Sequence, residues 1–475
     1  MSSISCSKNQ PPPPPPPGDT TGNVYYVSLN GNDNNPGTYD QPWRNPGYAS
    51  RQLKPGDTLI ILGGTYILRQ YDDDIIKPPS GNPNAWITIK GQENNRPILA
   101  GREALATAID LSGVSYVRIE NLEITHDPNA QGEAVYFWDG ILIQGSPASH
   151  IILKDLYIHH IDGMGMNFQD VEDLQILNCN IEYCGFGAIG GPEGAYGGWK
   201  NVRIEKCRLA YSGRYYQGVF DNPENPYDRS DGFGIESSEG LIYIIDTIIA
   251  EYNKGDGLDS KAERTLISGC IVANNTCDGV KLWGDGSRIE NTLIYGRRYG
   301  DPTPAPWAAI VISSVSRSNA RFEIVNVTVD DCVGENYLMY FQYPDESDPN
   351  TLLPIPVLLR NNIFCGRGPE CPIYMGECVT PTIDHNLFYF PNSLWVLQHG
   401  ENQYTSQDIS SLGPGNKYGD PLFENPAILG QVGDYHLRNG SPAIDSGTSE
   451  GAPNKDLDKN SRPQGNGYDM GCYER

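Results

Sequence analysis

Clustered positive charge is the first thing this chain lacks. Lys and Arg number 34 against 59 Asp and Glu, a net charge of −25 over 475 residues. Binding to nucleic acid needs clustered cations to neutralise phosphates, so no nucleic-acid partner is expected. No apolar run approaches the ~20 residues that cross a bilayer. Paired CxxC motifs with partner ligands are also missing, which argues against structural zinc. Charged residues of both signs make up only 20%.

What is abundant is Gly (53), Pro (37) and Tyr (29), a composition of strands and turns. The amino end reads "MSSISCSKNQPPPPPPPGDTTG". Cys6, a polar stretch and a proline run resemble the mature start of a bacterial lipoprotein, which implies a lipid on Cys6 and a stiff extended spacer; the competing reading is a plain linker. Residues 1–23 are set outside the fold in either case. Membrane contact is expected only through Cys6, with the protein secreted or at the cell surface, as an outer-membrane lipoprotein if Cys6 is lipidated. Cys179, Cys207 and Cys270 share one repeat position and predict stacked buried thiols. Cys365, Cys371 and Cys378 crowd a Gly/Pro-rich stretch and are the better disulfide candidates.

A pattern apolar-x-apolar-x-x-small-x-apolar recurs from about residue 114. It reads Val117-Ile119-Leu122-Ile124, then Ile151-Leu153-Leu156-Ile158, Leu174-Ile176-Cys179-Ile181 and Val202-Ile204-Cys207-Leu209, and continues to Phe322-Ile324-Val327-Val329. Where nothing is inserted the period is about 22 to 24 residues, which means a solenoid. Period-two alternation within each copy marks strands. Leucine-rich repeats have a similar length, but the return segments here are rich in Gly, Asn, Asp and Thr and hold second strands such as "DGFGIE" and "DGVKLW". The expected fold class is all-β, a single-domain parallel β-helix over 24–430, with an N-terminal cap and a C-terminal capping segment over 431–475. Ile119, Leu153, Ile176, Ile204, Ile244, Ile267, Ile289 and Ile324 should stack in one interior column. A monomer is expected.

A second register begins at Asp139-Gly140, Asp162-Gly163, Asp231-Gly232, Asp256-Gly257 and Asp278-Gly279. Asp-Gly is favoured at turns, and Asp139 and Asp162 are read that way. Beyond the turn, parity puts Phe233, Leu258 and Val280 inward, with Ile235, Ser260 and Leu282. Gly234, Asp259 and Lys281 then face outward in one column, and Glu236, Lys261 and Trp283 in the next. Coils ~4.8 Å apart bring Asp259 and Lys281 into contact. An exposed ion-pair ladder explains that pair; an exposed Trp283 beside Gly165, Gly187 and Gly234 suggests a sugar-binding groove.

Two stretches resemble the parallel β-helix polysaccharide lyases, most closely the family 9 pectate-lyase group. "YYVSLNGNDNNPGTYDQPWRNPGYASRQLKPGDTLIILGGTY" is similar to the entry cap and first coils. "SDGFGIE", "GDGLDS" and "DGVKLWG" match the family's Asp, Asp cluster and Lys, with Asp231 and Asp256 separated by 25 positions. The resemblance implies a right-handed coil, calcium held by Asp231, Asp256 and Asp259, Lys281 as catalytic base, and β-elimination on an acidic polysaccharide such as pectate. Gly255 stands where the family has a further calcium-binding Asp, and Glu236 or a carbonyl is a candidate to fill that gap. Lys261 and Arg264 are outward candidates for pairing with substrate carboxylates, Trp283 for stacking on sugar, and Lys261 is a rival base. The carboxyl end, "SPAIDSG" through "DMGCYE", is similar to a terminal segment of exported bacterial β-helix proteins. Two other classes stay open: a glycoside hydrolase or epimerase on the same fold, with a carboxylate pair drawn from Asp256, Asp259 and Asp278, and a non-catalytic surface glycan-binding protein.

Overall fold

The computed structural model describes residues 22–250, 252–298, 307–314, 320–334, 336–341 and 354–475. Cys6 and the proline run lie outside the described residues. Within them the chain winds into a parallel coil with three long faces, two sheets of 13 strands and one of 12. Each turn contributes one strand to each face, so every strand pairs with its counterpart one turn later. The interior column is in register from Ile119 through Leu153, Ile176, Ile204, Ile244, Ile267 and Ile289 to Ile324. All eight are fully buried.

The corner between the first two faces is a left-handed residue in nearly every turn, among them Asn121, Asp155, Asn178, Asp246, Asn291, Asn326 and Asn361. Asn and Asp tolerate positive φ better than most residues, which explains why the corner reads as Asn or Asp. Just past it, an interior column holds Cys179, Cys207, Thr247, Cys270 and Thr292, and later Asn362, Asn386 and Asn416. These hydroxyl and amide groups accept backbone N–H bonds from the preceding coil: Cys270 donates to Thr292 Oγ1 at 3.4 Å, Asn362 to Asn386 Oδ1 at 3.0 Å and Asn386 to Asn416 Oδ1 at 3.0 Å. The stacked thiols are therefore real. The expected disulfides are not: Cys365, Cys371 and Cys378 are free thiols, as are all the described cysteines.

The ends are closed separately. Helix Pro46–Gln52, capped by Asn45, lays Ala49 over the first coil. At the far end a hairpin of Leu397–His399 with Asn402–Tyr404 and the buried Ile409 cover the last turns. The segment 431–475 differs from its expected role as an end cap, because it runs back along the flank. There the corner asparagines grip it: Asn361 Nδ2 donates to Thr448 O at 2.7 Å and Asn326 Nδ2 to Gly471 O at 3.1 Å, while Arg462 donates to Asn291 Oδ1 at 3.0 Å. Arg462 also pairs with Glu474 in full burial.

Asp139 and Asp162 are more than turn residues. Asp139 Oδ1 accepts from Met164 N of the next coil at 2.8 Å and Asp162 Oδ2 accepts from Phe137 N of the previous one at 3.0 Å, so both fasten coils together. Burial pushes each carboxyl up to about 6.

Truncating Ile244 to Ala should cost about 2–5 kcal/mol in urea unfolding, the range for a buried aliphatic side chain; a change below that range would mean the column is not close-packed there. Asp139 predicts a pH effect. Its folded carboxyl titrates at about 6 against roughly 3.9 unfolded. Between those values the folded state holds a proton the unfolded state has lost, so stability falls as pH rises from about 4 to 6. Asp139→Asn should flatten part of that decline in melting temperature, and an unaltered slope would refute the assignment.

Candidate functional site

The third face carries the site. Phe233–Ser238, Leu258–Ala262 and Val280–Leu282 pair in parallel, with Gly234 beside Asp259 and Asp259 beside Lys281. The outward column is therefore as parity predicts. It continues back through Gly190 to Asn167, whereas Gly187 pairs with Met164 in another column. Gly165 and Gly187 are thus not members of it.

The aspartates come from the turn just before each strand. Asp231 Oδ1 accepts from Asp256 N at 2.7 Å, Asp256 Oδ1 from Asp278 N at 2.8 Å, and Asp278 Oδ1 from Ala308 N at 2.8 Å. One oxygen of each carboxylate thus fastens the next coil and the other stays outside that ladder. Asp231, Asp256 and Asp259 each bring an oxygen within 4.8 Å of the others. That crowding has a cost. Asp231 is pushed well up by burial and by Asp256 and Asp259, and Asp259 is pushed up to about 6 by burial and Asp256. Asp278 is likewise raised by burial and Asp256. An all-oxygen set of crowded carboxylates without enough cations is a donor set suited to a hard divalent ion such as calcium.

Lys281 departs from its expected exposure. It is 6% exposed, with Nζ 2.8 Å from Asp256 Oδ2 and 3.0 Å from Asp278 Oδ2. Trp307 covers it, with the ammonium 5.5 Å from the ring centroid. Burial alone would lower its pKa, but Asp256, Asp278 and Asp259 together raise it. Lys281 is therefore held as an ammonium inside a carboxylate pair rather than beside Asp259 on an open surface. Trp283 is also committed, donating from Nε1 to Asp259 Oδ1 at 2.7 Å, and so is a support for Asp259 more than a free stacking face.

A groove with a cavity of about 400 Å³ opens at Asp231 and Asp259 and runs over the preceding coils, lined also by Asn167, Phe186, Arg229, Glu236 and Lys261. Lys261 and Glu236 pair at 2.7 Å and 2.8 Å. Arg264 lies outside that lining, at a left-handed corner, and donates to Glu239 O at 3.2 Å. Gly255 cannot regain the family's carboxylate: a Cβ there would sit 2.3 Å from Asp231 Oδ1 and 2.7 Å from the Ser230 carbonyl carbon. Sequence reasoning missed Phe186, Arg229 and Trp307, which reach the site from separate turns and insertions and carry no periodic signal.

A family model described as "Right handed beta helix region" matches residues 107–409, and one described as "Pel9A-like, right handed beta helix region" matches residues 25–183. The uncharacterized protein YwoF of Bacillus subtilis is 32% identical over 30% of this chain and 30% of its own length. A pectate disaccharide-lyase of Dickeya chrysanthemi is 22% identical over 63% of this chain and 34% of its own. The chain thus spans about a third of the length of these relatives. Among solved structures, XylC in complex with xylose aligns at a TM-score of 0.55 and 12% identity over 95% and 99% of the two chains. Pectate lyase Pel9A aligns at 0.50 and 14% over 96% and 97%. At these identities the structural likeness establishes the fold.

Replacing Lys281 with Ala strands Asp256 and Asp278 without their cation. In chelator the variant should lose about 3–5 kcal/mol, the range for breaking a buried ion pair, and added calcium should restore part of the loss. Equal melting of variant and parent in chelator would show that the ion pairs contribute nothing.

Proposed function

We propose that this chain, which belongs to the right-handed β-helix family, is a calcium-dependent polysaccharide lyase acting on a uronic-acid polymer of the pectate kind. The observation that carries the reading is the meeting of three carboxylates within 4.8 Å with a lysine bonded to one of them, at the end of an open groove. Similarity to a pectate disaccharide-lyase supports it.

Asp231, Asp256 and Asp259 would hold the calcium, and the raised proton affinities of Asp231 and Asp259 mark a set that gains from a cation. When bound, calcium supplies Lewis-acid stabilisation of the charge that builds on the substrate carboxylate as the neighbouring C5 proton leaves. Lys281 takes that proton; the electron pair forms the C4–C5 double bond as the C4–oxygen bond breaks, and the leaving oxygen takes a proton from solvent water. Lys281 must be neutral for this. A cation held by Asp256 would loosen that carboxylate's grip on the Lys281 ammonium, which would favour the neutral amine. Trp283 fixes the Asp259 carboxylate through its N–H, and the ladder bonds from Asp256 N and Asp278 N fix Asp231 and Asp256. Lys261, already balanced by Glu236, serves the groove wall better than it serves as base. On the strength of the Cys6 segment, the proposed meeting with the polymer is outside the cytoplasm.

A second reading has its own observation. Burial and Asp256 push Asp259 up to about 6 beside Asp231, and a carboxyl raised into that range is a usable general acid for glycoside hydrolysis. The products separate the two.

A panel of uronic-acid polymers should yield ultraviolet-absorbing unsaturated ends in calcium and none in chelator. Lys281→Arg should be as inactive as Lys281→Ala, because a guanidinium stays protonated at working pH. Saturated, calcium-independent products would replace the lyase with the hydrolase, and an active Lys281→Ala protein would remove Lys281 from the mechanism.

A further inference from the structure

We propose that Arg229 and Phe186 form a hexuronate subsite beside the carboxylate centre, one that makes the groove prefer acidic over neutral sugars; this rests on reading the groove as a carbohydrate site. Both residues line the cavity together with Asp231 and Asp259. The lining has two cations, Arg229 and Lys261. Lys261 is neutralised by Glu236, whereas Arg229 is exposed and has no hydrogen bond or ion pair among the described residues. An unspent guanidinium at the lip of a carboxylate site is set to take a carboxylate from solution, and its planar fork suits bidentate pairing.

The segment bearing Arg229 is pinned. Asn225 Nδ2 and Ser230 Oγ both donate to Gly185 O, at 3.1 Å and 2.8 Å, and Gly255 N donates to Ser230 O at 2.9 Å. Tyr227 stacks on Phe186 with centroids 4.4 Å apart, and Phe186 remains 42% exposed. The wall therefore pairs an apolar ring that can stack on the C–H face of a sugar with a cation that can take its carboxylate. Gly255 makes this wall possible: a Cβ there would lie 2.7 Å from Ser230 C and 2.8 Å from Arg229 C. The same glycine that leaves the metal cluster one carboxylate short lets the Arg229–Asp231 backbone lie flat against the coil. The occupant is a uronate residue of the polymer in the groove, because its carboxylate complements the one uncompensated cation of the lining.

The test is titration calorimetry in chelator, with trigalacturonate and its carboxyl-reduced neutral trisaccharide as probes. The parent should prefer the acidic trisaccharide by about tenfold or more, the scale of a charged hydrogen bond. Arg229→Gln should erase that ratio, Arg229→Lys should keep part of it, and Phe186→Ala should weaken both sugars alike. A ratio unchanged in Arg229→Gln, or no preference in the parent, overturns the subsite. Matching melting curves establish that the variants are folded. Because no turnover enters, a protein that eliminates nothing yet loses its preference in Arg229→Gln sinks the lyase reading and keeps the subsite, and active elimination with an unchanged ratio does the reverse.

Discussion

In-register stacking at one coil spacing governs both the fold and the site, because every side chain must tolerate its counterpart on the next turn. For Ile this is favourable, and the column from Ile119 to Ile324 is buried throughout. For Asn, Thr and Cys it works when the side chain accepts or donates to a neighbouring coil's backbone, as Asn386 and Asn416 do. For carboxylates it is a problem. Asp231, Asp256 and Asp278 each accept a backbone N–H from the following coil, which satisfies half of each group and leaves the second oxygens to crowd one another. A cation is the remedy, and Lys281 is one that the sequence itself provides.

The same carboxylates thus hold coils together and form the site, so stability and chemistry draw on one set of groups. Asp256 is the shared member, with one oxygen given to Asp278 N and the other to Lys281. Breaking a buried ion pair costs several kcal/mol even where the intact pair adds little. A substitution at Asp256 or Lys281 that abolishes activity therefore proves a catalytic role only when the variant is folded under the assay conditions. Chelator and calcium melts separate the two effects, because a cation can replace the lysine's charge but not the proton transfer proposed for it.

Much of the fold was legible because periodicity is a local property. Parity alone placed Phe233, Leu258 and Val280 inside and Asp259 beside Lys281, and the register agrees. The corner asparagines were visible as residues but not as clamps, since their partners Thr448, Asp469 and Gly471 lie far along the chain. The burial of Lys281 was illegible for a similar reason: Trp307, which covers it, arrives after an insertion that breaks the repeat. Outward in the pleat is not the same as exposed. Gly255 was read as a lost ligand; its second meaning, as the only residue that lets the Arg229–Asp231 segment lie down, exists only in three dimensions.

Charge at the groove sets the order in which ligands can arrive. Its lining has Asp231, Glu236 and Asp259 against Arg229 and Lys261, and behind it Asp256 and Asp278 share Lys281. Counted as fully ionised, five carboxylates face three cations, on a chain whose net charge is already −25, and the raised proton affinities of Asp231, Asp259 and Asp278 register that excess. Away from Arg229 that field disfavours any polyanion, and low-dielectric walls sharpen the effect. A divalent cation bound first would offset the local excess of carboxylates. It would also loosen Asp256 from Lys281 in the same event. Substrate attraction and activation of the base would then follow from one binding step, whereas polymer bound first could engage the groove only through the Arg229 wall, with Lys281 still held as an ammonium.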